Sequence, residues 1–206
     1  MSRIGKFEEF KGDTSDIAFA EAIKYIRAQH EAGRPSLTLI WYPSPHYPCR
    51  ALPEDKAPFE HLDIGNGVKS VLAELVAVDR SVGTLRKALR EMGIEKNTIL
   101  WFCRDKGGYR GHDIEYGMGR LCGAKGDLYE GGIRVRGIIE WLCRIEPRVT
   151  NFPASATDIF QLSSVYLASQ KKSSYSLLMA LIKSQFLKKF YQKETRPWPF
   201  SASRQT

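Results

Sequence analysis

Two short apolar runs, separated by one long amphipathic stretch, restrict this chain to few folds. Leu37-Thr38-Leu39-Ile40-Trp41-Tyr42 and Thr98-Ile99-Leu100-Trp101-Phe102-Cys103 are rich in β-branched and aromatic residues, and each runs straight into a loop. That is how buried strands read. Between them Val68, Val71, Leu72, Leu75, Val78, Val82, Leu85, Leu89 and Met92 recur at spacings of three and four, the period of one helix face, and Gly93 stands ready as a C-cap. Strand, helix, strand is the parallel crossover unit, whose two strands point the same way. His46, in the loop after the first run, and Asp105, in the loop after the second, are then expected on one edge of a sheet. In open α/β sheets that carboxyl edge is where ligands bind.

The segment Leu121 to Val135 adds a chemical constraint. It sets Lys125 among glycines at 123, 126, 131 and 132, immediately before an apolar strand. Glycine allows positive φ angles and a close approach of backbone to ligand, and lysine offers a compact cation with three donors. Together they suit an anion. The plainer alternative is a tight turn with a solvated lysine, because short motifs often arise without function; the two strand-end loops upstream favour the anion.

In order, the strand, Pro45-His46-Tyr47-Pro48, the long helix, the second strand, Asp105-Lys106-Gly107-Gly108 and the block Lys125-Gly126-Asp127-Leu128-Tyr129-Glu130-Gly131-Gly132-Ile133-Arg134 resemble the sulfatases, arylsulfatase-like members of the alkaline-phosphatase-like superfamily. The likeness covers residues 11 to 160. It implies an α/β fold, part of an alkaline-phosphatase-like sandwich with a mostly parallel sheet flanked by helices. Residues 1–160 are expected to form a portion of the catalytic domain, and residues 161–206 a basic amphipathic helix and an extended tail.

In that family a formylglycine, made from the first residue of a Cys- or Ser-x-Pro/Ala-x-Arg motif, attacks the sulfur of a sulfate ester, while a calcium ion clamps the sulfate oxygens. Carried over, the resemblance gives His46 and Lys125 catalytic and sulfate-binding roles, Arg134 a further anion contact, and Asp105 a metal-ligand role. Fixed cations and a divalent ion stabilise the negative charge that builds up during transfer. Hard oxygen ligands suit calcium.

The departures bear on activity. The nucleophile motif and the first metal aspartates lie N-terminal to the Pro-His-x-Pro block in the family and have no counterpart here. Cys49 is followed by Arg-Ala-Leu-Pro, Cys103 by Arg-Asp-Lys-Gly, Cys122 by Gly-Ala-Lys-Gly and Cys143 by Arg-Ile-Glu-Pro, so no maturation motif exists. Lys106 replaces the asparagine expected after Asp105. An amide oxygen can coordinate a cation, whereas an ammonium has no acceptor. The lysine therefore repels a divalent ion, stands in its place as a counter-ion for Asp105, or keeps its head group in water. Cys122 stands where arginine is usual, and Arg136, Leu142 and Gln161 where prolines are usual. The resemblance thus implies a sulfuric ester hydrolase by descent, without turnover in this chain. The alternative is a non-catalytic remnant that binds sulfate, phosphate or a sulfated glycan through His46, Lys125 and Arg134. A phosphoester-cleaving relative is disfavoured by the sulfatase-like Tyr129-to-Arg134 block.

Charge and composition bound the rest. Of the net charge of +8, nearly all sits in residues 161–206, which argues against nucleic acid as the partner of the near-neutral body. From Ser176 to Gln192 the tail reads as an amphipathic helix, docked on its own domain with a solvated lysine face or laid weakly on an acidic membrane. No apolar run reaches about 18 residues and no leader is visible, so a cytoplasmic location is expected, although full-length relatives are often exported. Four scattered cysteines fit reduced thiols. His30 and His61 read as surface residues, and His112 falls in a loop within reach of the site. A strand that lacks a neighbour leaves an edge open, and such an edge favours self-association.

Overall fold

The computed structural model describes residues 2–3, 6–111, 114–115, 118–155 and 157–159. The tail helix expected over 176–192, His112 and Gln161 lie outside them. In chain order the elements are β1 (Ser2–Arg3), β2 (Lys6–Phe7), α1 (Thr14–Glu31), α2 (Pro53–Lys56), α3 (Asn66–Glu91), β3 (Leu100–Cys103), β4 (Arg110–Gly111), β5 (Ile114–Glu115), α4 (Glu130–Ile133) and β6 (Gly137–Glu140).

Helix α1 starts where the sequence offers capping oxygens: the Asp13 carboxylate accepts the Ser15 N–H at 2.7 Å, satisfying a donor the helix itself leaves free. Gly33, at φ +63°, turns the chain away after its last turn. Helix α3 ends in the same manner at Gly93, φ +69°. The two helices pack together, with Phe19 and Ile26 of α1 against Leu85 and Leu89 of α3, and Ile23, Ile40, Tyr42, Val82, Met92, Ile94 and Leu100 around them. Elsewhere the buried face of α3 combines the small residues Ala73, Ala77, Ser81 and Ala88 with Val68, Glu74 and Val78. Leu75, expected in the core, lies off this stripe and is exposed.

A polar clamp joins three helices. Arg80 of α3 reaches Asp16 of α1 at 2.7 Å and the buried Asp55 of α2 at 3.0 Å, and Ser81 Oγ donates to Asp16 at 2.7 Å. Two carboxylates on one planar guanidinium make a geometry that lysine could not supply.

The sheet departs from the expected one. Strand β3 pairs with β6, antiparallel, in the register Leu100 with Glu140, Trp101 with Ile139, Phe102 with Ile138 and Cys103 with Gly137. The run 37–42 joins no ladder among the described residues, so the parallel pairing expected between the two runs is not seen there. Alternation explains why 37–42 still reads as a strand: Ile40 and Tyr42 pack on the α1–α3 core, while Leu37, Leu39 and Trp41 face outward. The apolar strand expected directly after the glycine-rich loop is also displaced. The loop first closes into the single turn α4, and pairing begins only at Gly137.

The described residues up to Arg144 belong to one compact unit and those from Ile145 to a second. In the latter, Ser155 and Asp158 exchange bonds, Ser155 N–H to the Asp158 carboxylate at 2.7 Å and Asp158 N–H to the Ser155 carbonyl at 3.0 Å. No helix among the described residues is long and apolar enough to cross a membrane.

Candidate functional site

Three loops of the first unit build the site. The first, 43–52, follows the extended run and carries His46, with cis peptide bonds at Ser44-Pro45 and Tyr47-Pro48. The second, 104–108, leaves β3. The third is the glycine-rich loop, 121–129, which feeds α4.

Backbone bonds lace the second loop to the third. Lys125 N–H donates to the Gly108 carbonyl at 2.8 Å, and Gly107 N–H to the Gly132 carbonyl at 2.8 Å. Such an approach needs bare backbone: a Cβ on Gly107 would stand 2.7 Å from the carbonyl carbon of Gly131 and 2.9 Å from Cα of Gly132. Within the third loop Gly123 and Gly126 take φ +80° and +101°, a region open to glycine and costly for other residues. The Asp127 carboxylate accepts the Ala124 N–H at 2.9 Å, and Gly131 N–H donates to the Cys122 carbonyl at 2.6 Å. Lys125 is thus carried on a loop whose course is fixed on both sides.

Its ammonium meets His46. Lys125 Nζ lies 3.2 Å from His46 Nε2, and His46 Nδ1 lies 2.7 Å from the Tyr47 carbonyl oxygen. A carbonyl only accepts, so the ring proton belongs on Nδ1, and the Nε2 lone pair accepts from the ammonium. The loop below is anchored to α3: Glu74 accepts the His46 N–H at 3.1 Å and the Arg50 N–H at 2.8 Å. Burial pushes the Glu74 carboxyl up, against the lowering effect of those two N–H donors.

The remaining expected site residues stand differently. Asp105 lies in the loop that Lys125 is tied to, but its side chain is 80% exposed and pairs with Lys106 at 3.8 Å, not with His46 or Lys125. The Lys106 side chain is itself half-exposed, so its ammonium meets Asp105 and water alike. Arg134 pairs with Glu130 at 3.1 Å along its own turn. The structure therefore brings His46 and Lys125 together, ties the Asp105 loop to them through backbone, and leaves Arg134 engaged elsewhere. Glu74 was not anticipated, although a signal exists: it is the one carboxylate in the packed stripe with Ala77, Val78 and Ser81.

Calcium takes six to eight oxygen ligands. Among the described residues no group of three or more His, Cys, Asp or Glu side chains is placed to hold a metal, and the ammonium beside Asp105 supplies no acceptor. Among the described residues the donor set does not fit the ion.

Comparison with known proteins gives one consistent result. The family model described as Sulfatase matches residues 2–163. Mouse steryl-sulfatase is 34% identical over 90 residues, 40% of this chain and 14% of that protein. Rat N-acetylgalactosamine-6-sulfatase is 28% identical over 184 residues, 83% of this chain and 33% of that protein. The crystal structure of Ps i-CgsB in complex with k-i-k-neocarrahexaose superposes with a TM-score of 0.74 at 27% identity, over 82% of this chain and 37% of that one. The chain thus spans a third or less of the length of these two curated relatives.

Proposed function

The chain belongs to the sulfatase family, and we propose that it binds the sulfate group of a sulfate ester between Lys125 and His46 without hydrolysing it. The observation that carries this is the 3.2 Å contact between Lys125 Nζ and His46 Nε2. Left alone, the pair satisfies itself at 3.2 Å; a tetrahedral oxyanion, too large for that gap, parts the two side chains, takes the ammonium's N–H groups and draws a proton onto Nε2, so that both side chains become donors. Charge-assisted donors of this kind make the stronger anion contacts. Arg134 joins the ligand only by leaving Glu130.

Hydrolysis needs a nucleophile, and no Cys- or Ser-x-Pro/Ala-x-Arg motif occurs in the 206 residues. Nor do Cys49 and Cys103 replace it. Burial, with the Glu74 charge, pushes Cys49 up to about 11, and burial, with the Asp105 charge, raises Cys103. A thiol attacks as the thiolate. The relatives named above are sulfatases, and the similar crystal structure holds a neocarrahexaose, which supports a sulfated saccharide as the ester.

Calorimetric titration with inorganic sulfate and with a sulfated monosaccharide, in two buffers of different ionisation enthalpy, tests the binding. Saturable binding with proton uptake, weakened at least tenfold by Lys125→Met, is expected; equal affinity in the variant refutes the site. Incubation with an aryl sulfate and calcium is expected to yield no product above a buffer blank, and multiple turnover would overturn that half of the proposal. A second reading rests on Leu37, Leu39 and Trp41: this extended edge pairs with a second copy of the chain, as unpaired apolar edges do.

A further inference from the structure

Helix α3 carries a carboxylate inside its packed face. Glu74 is 5% exposed, between the fully covered Ala73 and Ala77. A charge placed there is unfavourable unless hydrogen bonds replace the water it loses. Both replacements come from one loop: Oε2 accepts from the His46 N–H at 3.1 Å and Oε1 from the Arg50 N–H at 2.8 Å.

We propose that Glu74 is a positioning residue for the oxyanion site, acting through the backbone of residues 46 to 50 to fix the tautomer and aim of the His46 ring. This rests on the binding role given above to His46 and Lys125. The two N–H groups are four residues apart, so one carboxylate with an oxygen on each closes the segment into a ring. Inside that ring lies the Tyr47 carbonyl, the acceptor 2.7 Å from His46 Nδ1. Pinning the N–H of residue 46 at one end and that of residue 50 at the other holds this carbonyl where the Nδ1 proton needs it, and Nε2 is left turned to Lys125 at 3.2 Å. Glu74 touches none of the oxyanion's donors by side chain. Its burial in α3 makes the helix the reference against which the histidine is set, and two oxygens are required. Glutamine offers one acceptor oxygen and two donors, so it can hold only one of the two N–H groups; aspartate is one methylene too short to reach them from the helix.

The test uses the full chain, labelled with 15N in the imidazole rings, with His46 identified among the four histidines by its absence in His46→Gln. In the wild type the His46 ring is expected to show a single tautomer with the proton on Nδ1. Glu74→Ala is expected to give averaged ring shifts and at least a tenfold loss in affinity for inorganic sulfate. The near-isosteric Glu74→Gln is expected to fold even where alanine does not, with about a threefold loss and partial averaging. Val78→Ala, which loosens the same helix face without touching the loop, separates structure from positioning: it is expected to lower stability and leave the tautomer unchanged. A Nδ1–H pattern in Glu74→Gln identical to wild type, with unchanged sulfate affinity, overturns the proposal and leaves the binding reading standing. If the wild type takes up no sulfate, the binding reading falls, while the ring shifts still decide the role of Glu74.

Discussion

Replacing Gly107 by alanine puts a methyl group 2.7 Å from the carbonyl carbon of Gly131 and 2.9 Å from Cα of Gly132, and closer still to the Gly131 oxygen. All three are backbone atoms, so no rotamer change relieves the clash, and the two loops must separate. Overpacking of this kind costs about 1–3 kcal/mol, and the Gly107 N–H to Gly132 carbonyl bond that breaks with it adds about 0.5–1.5 kcal/mol. The expected loss is about 1.5–4.5 kcal/mol, a large share of the roughly 5–15 kcal/mol that holds a domain together. Lys125 N–H bonds to the next residue, Gly108, so the lysine should retreat from His46 at the same time. Gly83→Ala is the matched control. Nothing lies within 4 Å of its Cβ position, it sits inside α3, and alanine there should stabilise by about 0.5–1 kcal/mol. Urea unfolding of the three proteins measures both energies, and sulfate titration measures the site. If Gly107→Ala unfolds within about 0.5 kcal/mol of wild type, as an ordinary surface change would, the close lacing of the two loops is wrong.

Two further outcomes follow from the clamp and the outer edge. Burial pushes the Asp16 carboxyl up, yet hydrogen bonds from Arg80 and Ser81 and the Arg80 charge outweigh it and hold the group below its ordinary value. Such a group stabilises the fold above its unfolded pKa, about 3.9, and loses that contribution as pH falls through the folded value. The stability gap between wild type and Asp16→Asn should therefore be full at pH 6 and close in acid; a gap that widens below pH 4 contradicts the clamp. At the edge, Leu39 is 59% and Trp41 88% exposed, and the double change Leu39→Ser, Trp41→Ser should shift the chain toward monomer in light scattering after gel filtration. An unchanged mass refutes pairing through 37–42.

What the sequence discloses depends on how local the determinant is. The helix α3 was legible because its period and its Gly93 stop lie within the stretch itself. So was α1, with Asp13 and Gly33 at its ends. The glycine-rich loop could be recognised as bare backbone, although its lacing partner, Gly107, could not be singled out from its neighbour Gly108. Strand partners were not legible. Alternation in 37–42 reports a covered and an uncovered side, but which strand lies alongside is a property of distant chain, and β3 took its antiparallel partner from beyond the loop. The family likeness supplied His46 and Lys125 as a pair before any geometry; periodicity alone would have left each on its own loop.

Glu74 marks the limit most clearly. By pattern it is a charge intruding into the buried face of a helix, a flaw until its partners are known, and those partners are N–H groups 28 and 24 residues earlier in the chain. The same is true of the contact it serves, between side chains 79 residues apart. Two unrelated devices hold that contact: a carboxylate latch under His46, and glycine lacing beside Lys125. Damage to the latch should disturb the imidazole and spare the lysine loop, whereas damage to the lacing should withdraw the lysine and leave the Nδ1 bond to Tyr47 intact. The ring nitrogens of His46 therefore tell the two failures apart, Nδ1 reporting on Glu74 and Nε2 on Gly107.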